Sequence, residues 1–177
     1  YRSQFSQSIP LISDVYSLAN SYEISVYNKL PNDMITNVSF YASAINSLSD
    51  EDVRISDRLS LGAKRLRGFE RFKTGPIDNG DYIGGNFASS VNLSTTLPMF
   101  FQSLDNTDVS YFIDMANIWG VDYSSTVGDS SHLRSSTGIL VNWFTPIGPL
   151  NFSLSQALSK AETDQTQSFQ FNLGTTF

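Results

Sequence analysis

The stretch that decides the fold is Leu150-Asn151-Phe152-Ser153-Leu154-Ser155-Gln156-Ala157-Leu158-Ser159. Leu150, Phe152, Leu154 and Leu158 alternate with Asn151, Ser153, Ser155 and Ser159. A period of two places these sets on opposite faces of an extended strand. The pattern repeats on both sides. Downstream, Phe169, Phe171, Leu173, Thr175 and Phe177 oppose Gln170, Asn172, Gly174 and Thr176. Upstream, a strand over about 133–144 has the least regular alternation and is set off by a turn at 145–149. Before it, Val109, Tyr111, Ile113 and Met115 oppose Ser110, Phe112, Asp114 and Ala116. Phe87, Val91, Leu93 and Leu97 oppose Ala88, Ser90, Asn92 and Ser94. Toward the N-terminus, Val38, Phe40, Ala42 and Ala44 oppose Ser39, Tyr41 and Ser43. Tyr22, Ile24 and Val26 oppose Ser21, Glu23 and Ser25. The odd positions from Tyr1 to Leu11 form one more row. Pro, Asn, Asp and Gly punctuate the gaps at 12–14, 29–33, 98–108, 120–131 and 160–166. The sum is an all-β chain of about eight antiparallel strands.

Composition narrows the class. The 177 residues carry 11 − 17 = −6 formal charges and no cysteine. Charged residues make up 16%, against about 25% in ordinary soluble domains. Aromatic residues reach 13%, and Ser, Thr, Asn and Gln fill much of the rest. Such a chain suits a wall with lipid on one side and water on the other. No run of about 18 apolar residues exists, which excludes a transmembrane helix but not membrane strands of about 9–11 residues. A soluble sandwich would bury the same apolar rows, so periodicity alone does not separate it from a barrel. The aromatic terminus Phe177, together with apolar faces free of charge, favours the transmembrane antiparallel β-barrel. Short turns alternating with longer loops agree with the two unequal rims of such a barrel. Tyr1 falls within a strand pattern with no initiator Met, which suggests a piece of a longer protein.

One segment breaks the alternation, about 48–85. It begins with the acidic run Asp50-Glu51-Asp52 and then holds seven of the eleven basic residues: Arg54, Arg58, Lys64, Arg65, Arg67, Arg71 and Lys73. Gly84-Gly85 closes it. A loop of this length is functional or disordered. Leu59, Leu61, Leu66, Phe69 and Phe72 argue against disorder.

The tip Leu66-Arg67-Gly68-Phe69 resembles the inward-folded loop of BamA-type outer-membrane assembly proteins. Three later stretches carry the resemblance in the same order. They are 112–119 (Phe-Ile-Asp-Met-Ala-Asn-Ile-Trp), 133–138 (Leu-Arg-Ser-Ser-Thr-Gly) with Trp143 through Gly148-Pro149-Leu150, and the closing 169–177. The resemblance spans essentially the whole chain and implies the C-terminal half of a barrel of about sixteen strands, residues 1–177, with the 48–85 loop folded inward. It implies insertion and folding of β-barrel proteins in the Gram-negative outer membrane. The implied partners are unfolded β-barrel clients, accessory lipoproteins of the assembly complex and outer-membrane lipid. Two other readings stay open: a polypeptide-secretion transporter of the same superfamily, and a small structural or pore-forming barrel.

For residues, the resemblance makes Arg67, Gly68 and Phe69 the loop tip and Asp114 its inner-wall anchor. A guanidinium is always charged and offers five donors. Inside a barrel it needs an acceptor, best a bidentate carboxylate. The family often carries a Glu on the preceding strand; this chain has Ser94 there. Gly68 lets the tip turn tightly. Gly174 interrupts the last strand, which in the family forms a lateral seam with the first; with Phe177 it marks the seam strand. An unpaired edge there is a template for an incoming strand.

Nothing suggests an enzyme. His132 stands alone in a polar loop and Cys is absent, so no metal site or cofactor is expected. Asp50, Glu51 and Asp52 have no convergent base or nucleophile beside them. Acidic balance and scattered cations argue against nucleic acid.

Overall fold

The computed structural model describes residues 1–8, 17–98, 106–124, 127, 131–146 and 148–173. In chain order the strands are β1 (Arg2–Ser8), β2 (Ser17–Lys29), β3 (Ile35–Ser47), β4 (Ile77–Asp78), β5 (Asp81–Tyr82), β6 (Phe87–Thr96), β7 (Thr107–Trp119), β8 (Arg134–Thr145), β9 (Gly148–Ser159) and β10 (Phe169–Leu173). Eight of them form one sheet in the order β1-β2-β3-β6-β7-β8-β9-β10. Every neighbour is antiparallel. The remaining two, β4 and β5, pair as a small ribbon inside the loop between β3 and β6. One 3-10 turn, Ile55–Asp57, lies in the same loop.

The sequence period becomes the two faces of this sheet. One inward row crosses six strands in register: Ser25, Ser39, Asn92, Asp114, Ser136 and Ala157. The outward face keeps large apolar side chains in the open, among them Phe40, Val91, Met115 and Leu154. No second sheet packs on that face among the described residues. A sandwich would cover it, so the sandwich is ruled out. An apolar exterior around a polar interior is the pattern of a membrane barrel wall.

Some boundaries differ from the sequence expectation. Thr107 and Asp108 belong to β7 and not to a turn. Thr145, Gly148 and Pro149 are strand residues, with Thr145 opposite Gly148. Turn-forming residue types do not end a strand while the neighbouring strand still offers backbone partners. The seam residues Gly174 and Phe177 lie outside the described residues, as do the turn at 12–14 and the end of the first expected strand.

The inner face is also not uniformly wet. The loop between β3 and β6 runs back over it. Leu61, Leu66 and Phe69 from the loop join Ala88, Ala116 and Ile118 from the wall in one buried cluster. Expecting water all along the polar row overlooked that the loop brings its own apolar side chains. Leu59 and Gly85 close the base of the loop by exchanging backbone hydrogen bonds of 2.8 and 3.0 Å.

Candidate functional site

The loop tip is a succession of turns, and neighbouring side chains go to different walls. The Gly62 carbonyl accepts the amides of Arg65 (2.9 Å) and Leu66 (3.3 Å), a turn that starts the tip. Arg65 points to β2 and β3. Its Nη2 donates to Glu23 Oε2 at 2.7 Å, and its guanidinium carbon lies 3.9 Å from the centre of the Tyr41 ring. Lys64 Nζ is 4.0 Å from the other Glu23 oxygen. Leu66 drops into the buried cluster.

Arg67 points to β7. Its Nε donates to Asp114 Oδ2 at 2.7 Å and its Nη2 to Oδ1 at 2.6 Å. The Arg67 backbone amide adds a third bond to Oδ2 at 3.0 Å. Asn92, directly opposite Asp114 on β6, donates to Oδ1 at 2.8 Å. Thus one carboxylate, fully buried, accepts four hydrogen bonds. An unpaired buried charge is strongly unfavourable, whereas a bidentate guanidinium with further donors offsets the lost hydration. The guanidinium also lies 3.8 Å from the centre of the Phe112 ring, a cation–π contact. Phe112 is wholly buried on the inward side of β7. Ser94 lies opposite Phe112 in register. In place of a second acid, this chain surrounds Arg67 with an aromatic face and gives Asp114 an extra amide donor.

Gly68 has φ +84°, and a Cβ built on it would sit 3.0 Å from Ser155 Cβ and 3.4 Å from Ser136 Cβ. The tip therefore rests on small side chains of β8 and β9, with its backbone against the wall. Phe69, next in the chain, is buried in the cluster. Its carbonyl accepts Gln170 Nε2 of β10 at 2.7 Å. The tip then pairs backbone to backbone with the segment before β10. Glu70 N–H donates to the Gln165 carbonyl at 3.0 Å, Gln165 N–H to the Lys73 carbonyl at 3.0 Å, and Gln167 N–H to the Gly68 carbonyl at 3.0 Å. Phe69 and Thr166 form an isolated antiparallel bridge.

Two further ion pairs brace the loop rim. Arg134, at the start of β8, and Asp164 are both fully buried. Arg134 Nε donates to the two Asp164 oxygens at 2.9 and 2.8 Å, and Asp164 also accepts the Ala161 amide at 2.7 Å. Arg58 pairs with Asp122 beyond the end of β7, and the Val53 amide donates to Asp122 Oδ2 at 2.9 Å. Burial works to raise the Asp122 carboxyl. The Val53 amide, the Asn86 side chain and the Arg58 guanidinium outweigh it and hold the group below its ordinary value of 3.8.

The structure thus gathers Arg67, Gly68, Phe69 and Asp114 at one place. His132 is exposed; its carbonyl accepts Arg134, and its ring nitrogen is 3.4 Å from Ser159 Oγ. No cluster of His, Cys, Asp or Glu suited to a metal ion occurs among the described residues. Sequence reasoning gave no role to Asn92, Gln170 or the Arg134–Asp164 pair. For the pair a signal existed: Arg134 is a lone cation entering an uncharged strand.

Residues 2–177 match the model of the Omp85 superfamily domain. The chain belongs to the Omp85 superfamily. The outer membrane protein assembly factor BamA of Neisseria meningitidis is 32% identical over 143 residues, 66% of this chain and 18% of that protein. The sorting and assembly machinery component 50 homolog A of Xenopus laevis is 30% identical over 129 residues, 68% of this chain and 27% of that protein. The crystal structure of Haemophilus ducreyi BamA lacking POTRA domains 1–3 superposes with a TM-score of 0.78 at 25% identity, covering 96% of this chain and 37% of that one. This Omp85 chain thus spans between 18% and 27% of the length of these two curated relatives. Its eight-stranded sheet is part of a transmembrane antiparallel β-barrel.

Proposed function

We propose that this Omp85 chain is the C-terminal half of a barrel of about sixteen strands, and that the whole protein inserts and folds β-barrel proteins in the Gram-negative outer membrane. No bond is made or broken in this reading. Arg67, Gly68 and Phe69 form the loop tip, Asp114 anchors it, and Gly174 and Phe177 mark the seam strand. An incoming client strand pairs at the seam and keeps its backbone satisfied within the bilayer. Accessory lipoproteins and lipid complete the assembly site.

The observation that carries the reading is the bidentate Arg67–Asp114 contact on a fully buried acid. A loop fixed so firmly narrows the lumen that a pore-forming barrel keeps open. An assembly factor needs the loop docked so that the lumen keeps one shape while the seam opens. The test replaces Asp114 with Asn in the full-length protein as the sole copy in the cell. Levels of folded outer-membrane β-barrel proteins should drop severalfold while the variant itself still reaches the membrane. Unchanged client levels would overturn the reading.

A further inference from the structure

The outward row of the wall carries one group that hydrocarbon does not suit. In β9, Leu154 and Leu158 stand on the outer face at 64% and 61% exposure, and Gln156 is exposed between them. Gln156 pairs across the sheet with Thr137 of β8, and Thr137 with Ile113 of β7. Ile113 is the central residue of β7. At one end of β7, Thr107 faces Trp143; at the other, Trp119 stacks on Phe87. Aromatic residues at both ends of a barrel strand mark the two membrane interfaces, about 25 Å apart. Gln156 therefore sits near the middle of the bilayer, and so short a side chain does not carry its amide to either interface. The hydroxyls beside it are already engaged. Thr137 Oγ1 donates to the Phe112 carbonyl at 2.8 Å, and the Tyr111 hydroxyl lies 2.7 Å from the same oxygen. The Gln156 amide has no partner among the described residues.

We propose that Gln156 is the centre of a lateral contact between two copies of this barrel, in which the two amides bond each other on a two-fold axis along the membrane normal. A primary amide holds both donors and an acceptor, so two of them close a reciprocal pair of N–H···O bonds. In hydrocarbon an unsatisfied polar group is costly, and neither water nor a lipid tail supplies a partner. The occupant must therefore bring a polar group to this depth. A second copy does so by symmetry. Rotation about the normal leaves depth unchanged, and an isologous contact sets a residue near the axis against itself. A charged partner side chain would itself be stranded in lipid. Barrel strands tilt by about 35–45°, so the β9 strands of the two copies cross steeply and touch over few residues. One amide pair, with Leu154 and Leu158 packed around it, then decides the contact. Association inside a bilayer is driven by packing and hydrogen bonds of this kind. The contact lies on the outer wall, and it stands whether or not the whole protein assembles other barrels.

Two measurements on the full-length protein in lipid vesicles test it. The first places a sole cysteine at this position, Gln156→Cys. Oxidation should give a dimer joined 156 to 156. Val91 also faces outward, three strands away on β6, and Val91→Cys should stay monomeric. No cross-link at 156, or one as strong at 91, overturns the proposal. The second follows energy transfer between labelled copies as lipid is added. Gln156→Leu suits the lipid face and leaves the wall intact. It should weaken association roughly tenfold, the factor for two membrane hydrogen bonds of usual strength. Equal association with and without the amide, or no transfer above random crowding in either, sinks it. A photo-reactive side chain at 156 in the native membrane should capture a second copy; capture of another protein alone would name a different occupant and overturn the two-fold contact.

Discussion

The two halves of the inner wall treat charge in opposite ways. Across β6 to β10 the wall is dry under the loop. It buries Asp114, Phe112 and Gln170 against the tip, and the Arg134–Asp164 pair at the rim. Across β1 to β3 it is a ladder of hydroxyls, with Ser21–Ser43 at 2.7 Å and Ser25–Ser39 at 2.8 Å. Its one acid, Glu23, meets the side of the loop at a side-chain exposure of 27%. The same loop has a buried grip on one wall and a wet contact on the other. The difference teaches that alternation sets which residues face inward, while the loop decides which inward residues are sealed from water.

That contrast can be broken most strongly at Arg67. Arg67→Ala leaves Asp114 buried with only Asn92 as a side-chain donor. Removing one partner of a buried pair costs about 3–5 kcal/mol. The loop should become a protease substrate at 48–86, read by mapping the first cuts in the folded barrel. Next in size is Gly68→Ala. A positive φ and a 3.0 Å approach to Ser155 together cost about 1–3 kcal/mol. Pairing it with Ser155→Gly should return the part due to crowding but not the part due to φ, as read by amide exchange at the tip. Glu23→Gln on the wet wall should cost only about 0.2–1 kcal/mol, since a partly exposed pair is screened. Its effect on loop protection should be far below that of Arg67→Ala; an equal effect would erase the distinction between the walls.

Acid gives a smaller, local effect. Asp122 is depressed in the fold, so its contribution is complete above its unfolded value near 3.8 and disappears as pH falls through the folded value. Exchange at Val53 should therefore accelerate only below about pH 4, while that at Arg67 should not follow it in the Asp122→Asn variant. Ser39→Ala, which removes one hydroxyl from the wet ladder, should change loop protection by less than about 0.5 kcal/mol.

Much of this was legible before any coordinates. Leu150 through Ser159 reads as a strand because eight of its ten residues keep the period, Gln156 and Ala157 being the exceptions, whereas its register with Phe169–Leu173 is set by the structure. Arg67 and Asp114 were legible as a pair only through the resemblance of the tip and of 112–119 to the BamA-type family, since a loop with seven cations does not by itself single out Arg67. Asn92 was not, since an Asn among Ser residues looks like any wet-face residue until register sets it opposite Asp114. Gln170 was hidden for the same reason: its partner lies 101 residues away in sequence and is a backbone carbonyl. Phe112 was assigned to the polar row correctly but given no role, because nothing local says that a guanidinium will lie on it.

The burial of Asp114 has a consequence for how the plug responds to ionic strength. Mobile ions screen charges they can approach, over about 8–10 Å at ordinary salt. They reach Glu23 and Arg65 from the lumen, and Arg67 keeps 14% of its side chain open, but the carboxylate it clasps is fully enclosed and offers no approach. Concentrated salt should thus strip the loop from the serine-lined side and leave it riveted on the other. The plug then swings on its rivet like a gate leaf, and never floats free.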